Sequence, residues 1–89
     1  MQLIEYVKRR SRRVGVIVAD YDNEIYNIGW SLANRKDKFD RYTGIIMAID
    51  RSKYSHVKIP HSITKQYVAF IKRCFLYFKD KKLGHVAGV

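Results

Sequence analysis

Between Arg13 and Ala33 two apolar runs flank a cluster of turn formers, and this pattern limits the fold more than any other feature of the chain. Val14, Gly15, Val16, Ile17 and Val18 are mostly β-branched, which suits a half-buried or buried strand. Asp20, Tyr21, Asp22, Asn23 and Glu24 follow. Asp and Asn accept local backbone hydrogen bonds and tolerate left-handed conformations, so the chain is expected to reverse here. From Ile25 to Ala33 the residues alternate, with Tyr26, Ile28, Trp30 and Leu32 on one face and Asn27, Gly29 and Ser31 on the other. Strand, turn and strand predict an antiparallel hairpin with one apolar face, and Trp30 is read as core.

Asn34 to Thr43 is polar apart from Phe39 and Tyr42 and reads as a loop. Asp40 is expected to cap a helix that ends near Tyr54, with Tyr42, Ile45, Ile46 and Ile49 as its buried stripe. Pro60 forces His56 to Ile59 into an extended stretch, a candidate third strand. Ser62 is read as the cap of the final helix, whose stripe is Ile63, Tyr67, Phe70, Ile71, Cys74 and Phe78. Lys65, Lys72, Arg73 and Lys79 project from its opposite face. Lys81, Lys82 and Gly84 supply cations and a glycine stop at its end. Residues 83–89 are expected to form a loose tail. Residues 1–13 begin with Leu3, Ile4, Tyr6 and Val7, compatible with strand or short helix, and continue as an exposed basic arm. The expected class is α+β: a small antiparallel sheet with both helices packed on one face.

At 89 residues the chain has room for one domain, 1–89. The hydrophobic content of 47% is enough to build a core and argues against disorder. Eighteen Lys and Arg stand against eight Asp and Glu, a formal charge of +10, whereas solubility alone asks for about 2 to 8 in a small domain. An acidic partner is therefore expected. No apolar run is long enough to span a bilayer, so no membrane partner is expected, and the lone Cys74 suits a reducing, cytoplasmic setting.

His56, His61, His85 and Cys74 lack the paired spacing of a zinc site, and the five glycines form no phosphate loop. No cofactor, metal or catalytic residue is read from the chain. One motif bears on catalysis: the hairpin with Asp20 and Asp22 followed by Gly29, Trp30 and Ser31 resembles the opening hairpin of RNase H-like nucleases and junction resolvases. That resemblance would make one of these aspartates a magnesium ligand. Such enzymes need further carboxylates on later strands, and after Asp50 the chain offers only Asp80.

The string from Gly29 to Arg51, GWSLANRKDKFDRYTGIIMAIDR, together with Pro60, His61 and Ser62, resembles small uncharacterised proteins encoded by tailed bacteriophages. The resemblance implies an accessory protein acting in the host cytoplasm on nucleic acid or host machinery.

The leading expectation is a non-enzymatic nucleic-acid-binding protein. Its phosphate contacts would come from Lys8, Arg9, Arg10, Arg12 and Arg13, from Arg35, Lys36, Lys38 and Arg41, and from Lys65, Lys72, Arg73 and Lys79, gathered on one surface. Tyr21, Phe39, Tyr42 and Tyr54 are candidates for base stacking. The alternative is an inhibitor of an acidic host nucleic-acid-processing or defence complex, in the manner of an anti-CRISPR protein, with the same charges steering docking.

Overall fold

The N-terminal residues alternate between two apolar faces and form a strand, β1 (Gln2–Arg9), which turns through Arg10 and Ser11 into β2 (Arg12–Tyr21). The computed structural model describes residues 1–54 and 56–89. Residues 1–13 are thus an edge strand and a hairpin tip, not an arm. The charge of Lys8 to Arg13 masked the strand, because hairpin tips are as solvated as tails. The sequence-predicted hairpin follows as β2 and β3 (Ile25–Leu32), paired antiparallel with Ile17 opposite Trp30 and Ala19 opposite Ile28.

The chain then runs through α1 (Arg41–Tyr54), a single 3₁₀ turn (His61–Ile63), α2 (Thr64–Tyr77) and β4 (Lys82–Val86). The fold is α+β, with a four-stranded sheet in the order β1-β2-β3-β4 in which β4 lies parallel to β3. The sheet is therefore mixed rather than antiparallel throughout. The last residues are not a loose tail: Val86 and Ala87 are buried, and the Lys82 and Ala87 amides donate to the Glu24 and Ile28 carbonyls. His56 to Ile59, the candidate third strand, stays outside the sheet. Ile59 is drawn toward the core, and Pro60 has no amide to donate to a ladder.

The helices pack on opposite faces of the sheet. This corrects the expectation of a shared face, and the reason lies in β2, whose residues Gly15 to Ala19 are all buried. Side chains alternate across a strand, so Val16 and Val18 point one way and Ile17 and Ala19 the other, and both sides need cover. On one side Ile17, Tyr26, Ile28 and Trp30 meet Tyr67, Phe70 and Cys74 of α2. Full burial of each large apolar side chain there is worth about 1.5–3 kcal/mol. On the other side Val16 and Val18 meet Ala48 of α1.

The contact beneath α1 is unusually close. A Cβ on Gly29 would lie 2.0 Å from the Ala48 carbonyl oxygen, so only glycine lets β3 touch the helix backbone. The buried residues of α1 are accordingly the small ones, Gly44, Ala48 and Ser52. Tyr42 and Ile46, expected inside, are 73% and 66% exposed. The Ser31 hydroxyl donates to the Gly44 carbonyl at 2.8 Å and fixes the register of helix on strand.

The stripe of α2 is as expected, but its ends are not. Ser62 makes no capping hydrogen bond, and the helix stops at Tyr77, well before Gly84. Phe78 leaves the helix because its ring is held between Tyr21 and Tyr26, with centroids 4.9 and 4.6 Å away.

Candidate nucleic-acid interface

The β1–β2 hairpin ends in a two-residue turn in which Arg10 and Ser11 have φ of 52° and 68°. Such turns match the twist of a hairpin and favour Asn-Gly, since other residues in the left-handed region cost about 1–2 kcal/mol each. Arginine at the first of these positions is a poor choice for the backbone. It is a good choice for placing a cation at the farthest point of the ribbon. A second local conflict occurs at Arg41, the first residue of α1, where a cation opposes the positive end of the helix dipole.

Asp40 does cap α1: its carboxylate accepts from the Thr43 hydroxyl at 2.6 Å and from the Thr43 amide at 3.4 Å. The Thr43 hydrogen bonds hold the Asp40 carboxyl below its usual range. This carboxylate is therefore engaged with the helix start and is not paired with a neighbouring arginine.

Two open surface depressions join the hairpin tip to the loop before α1. The first, about 270 Å³, is lined by Arg9, Arg10, Arg12, Arg13, Arg35 and Asp37 among others. The second, about 450 Å³, lies between Arg12, Arg13, Lys38, Phe39 and Arg41. Arg13 is fixed by stacking over the Tyr6 ring at 3.9 Å, and Tyr6 meets Phe39 edge-on at 6.3 Å. This Arg13–Tyr6–Phe39 stack ties the hairpin to the loop. Among the described residues the ion pairs are Lys53–Asp20 and Arg73–Glu5, and neither involves a cation of the tip or the loop.

Of the three basic regions expected to converge, two do. The third does not. Arg73 turns aside to Glu5 at 3.0 Å, and Lys79 follows Phe78 at the opposite end of the sheet, beside the β2–β3 turn. Strand β2 has ten residues, so at about 3.3 Å each it separates the two ends by roughly 30 Å. Lys65 and Lys72 are exposed on the outer side of α2 and line neither depression.

The aromatic candidates also divide. Tyr21 packs on Phe78 and is a core contact rather than a stacking platform. Phe39 borders both depressions, while Tyr42 and Tyr54 are exposed at opposite ends of α1. Trp30 is core, and Arg51 lies over its ring at 4.3 Å while donating to its carbonyl. Tyr6 was not among the expected residues. Its signal was the alternation of residues 2–9, hidden because no Asn-Gly marks the turn that follows.

The residues with catalytic potential are engaged structurally. Asp20 pairs with Lys53 at 3.6 Å, and Asp22 accepts from the Glu24 and Ile25 amides at 2.8 and 2.9 Å. Those two amides hold the Asp22 carboxyl below its usual range. Burial pushes the Cys74 thiol up to about 11, which keeps it protonated at neutral pH. No helix among the described residues is long and apolar enough to cross a membrane. Comparison of the chain with protein-family models, curated proteins and solved structures found no match.

Proposed function

We propose that this protein binds nucleic acid without catalysis, through the phosphate backbone, using the end of the sheet built by the β1–β2 tip and the loop before α1. One observation carries the reading: Arg9, Arg10, Arg12, Arg13, Arg35, Lys38 and Arg41 surround two adjoining depressions and are free of ion pairs among the described residues. Lys8 and Lys36 extend the same cationic end. Unpaired arginines crowded together repel one another, and a polyanion relieves that repulsion while releasing counterions.

The shape supports the same role. A two-stranded β-ribbon fits the major groove of a duplex, and its flanking arginines then reach phosphates on either side. The left-handed Arg10 and the helix-start Arg41 are both placed against local preference, which is where function overrides backbone economy. An accessory role in the host cytoplasm, which the tailed-phage resemblance of Gly29–Arg51 implies, is part of the proposal.

Fluorescence anisotropy with duplex DNA, single-stranded DNA and RNA across a series of salt concentrations tests the reading. Binding should weaken steeply with salt, and replacing Arg12 and Arg13 with glutamate should remove it. Binding that persists unchanged in that variant would refute the assignment of the site.

A further inference from the structure

Helix α2 has a second apolar side that its own fold does not cover. The inward stripe, Ile63, Tyr67, Phe70, Cys74 and Phe78, is buried. On the outward side Val68, Phe75 and Leu76 are 43%, 52% and 73% exposed, and Ala69 beside Leu76 is exposed as well. A helix that is apolar on both sides is normally enclosed on both. From Lys65 to Lys79 there is no Asp or Glu. Lys65 and Lys72, seven residues apart, fall along the middle of the outward stripe: Leu76 and Ala69 flank them on one side, Val68 and Phe75 on the other. Neither lysine is ion-paired among the described residues. Gln66 and Arg73 do not compete for this face, because both reach back to Glu5 on β1.

We propose that the outward face of α2 docks a partner protein through an acidic amphipathic helix, whose apolar side chains cover Val68, Phe75 and Leu76 and whose carboxylates meet Lys65 and Lys72. The spacing of the two lysines sets the partner's pattern: acids about 10.5 Å apart along a helix, one heptad, set into an apolar stripe. Charge decides against the other occupants. A second copy laid face to face would bring four lysines into one desolvated contact with no carboxylate to meet them. A lipid surface takes up amphipathic helices whose cations flank the apolar sector, whereas here they run along its centre. Nucleic acid offers phosphates but little to cover an exposed Phe-Leu pair. The docking face is distinct from the basic tip, so the protein can hold both partners at once.

Amide chemical shifts of isotopically labelled protein test this directly. The probes are a synthetic peptide of about three heptads with leucines on one face and glutamates set into that face a heptad apart, a permuted peptide of identical composition, and vesicles of mixed phosphatidylserine and phosphatidylcholine. The ordered peptide should shift Val68, Lys72, Phe75 and Leu76 and leave Arg10 and Arg12 unmoved. It should bind at least about tenfold more tightly than the permuted peptide. Leu76→Asp and Lys72→Glu, both at exposed positions, should each abolish the shifts while circular dichroism stays unchanged. Equal binding of the two peptides, no binding of either, shifts centred on the hairpin tip, or vesicle-induced shifts on α2 would each overturn the proposal.

Discussion

The sheet has a turn at each end of β2, and the two are built on opposite principles. At the β2–β3 end Asp22 uses its carboxylate to satisfy two amides of the reversal, and Asn23 and Glu24 complete a turn suited to its residues. At the β1–β2 end Arg10 and Ser11 occupy left-handed backbone with side chains poorly matched to it, and arginines crowd around them. One turn uses side chains to serve the backbone. The other holds the backbone under strain to display side chains. The contrast is what the proposed function rests on, since strain retained in a small domain marks the end where something other than folding sets the residues.

The sharpest way to break this comparison is to neutralise the strained end. Replacing Arg9, Arg10, Arg12 and Arg13 with alanine should weaken nucleic-acid binding on the order of a hundredfold or more at low salt. The log–log salt dependence should become shallower by about 3.6, at 0.9 per lost phosphate contact. Thermal stability should change little, because relief of the repulsion between the arginines offsets the loss of the Arg13–Tyr6 stack. Loss of folding instead would mean that these residues serve the core.

A second test exchanges function for backbone comfort. Arg10→Asn with Ser11→Gly installs the turn sequence the geometry favours, and should stabilise the protein by about 1–2 kcal/mol. For a domain of this size that is a rise of about 4–8 °C in Tm per kcal/mol. Binding should weaken by about one phosphate contact in the same salt analysis. A Tm that falls would show that the tip is not strained.

Between the two ends lies the core of α2, and it should respond to alkali. Cys74 is raised from 9.0 to about 11, and Tyr67, whose hydroxyl donates to the Ile28 and Ala87 carbonyls, is raised by burial as well. The folded state thus keeps protons that the unfolded chain would release. The stabilisation is complete below about pH 9 and is lost as pH climbs through 11, so denaturant midpoints should fall over that window. The smallest effect is expected at the relaxed turn: Asp22→Ala should lower the Tm modestly and leave nucleic-acid affinity unchanged.

Where side-chain pattern and burial coincide, the fold was legible from the residues. The β2–β3 hairpin follows from the alternation of Tyr26, Ile28 and Trp30, and the inward stripe of α2 from Ile63, Tyr67, Phe70 and Cys74. Pattern misled at α1, whose close approach to Gly29 buries Gly44, Ala48 and Ser52 and turns Tyr42 and Ile46 outward. Hydrophobicity cannot report a contact chosen for smallness. Strand β4 was invisible for another reason: Lys82, Gly84 and His85 have little strand character, and the edge of β3 recruits them through their backbone. At the candidate site the charges were legible, but their grouping was not. Whether Arg73 faces the tip or Glu5 depends on which face of the sheet α2 covers, and that rests on the burial of β2 from both sides.

The central claim is that the tip and loop form one phosphate-binding surface. The most direct measurement is the equilibrium constant for a short DNA duplex over a range of monovalent salt. The log–log slope should be about −4.5 or steeper, as expected when at least five of the clustered cations meet phosphates. An affinity indifferent to salt, or one equally steep after the four tip arginines are removed, would contradict it.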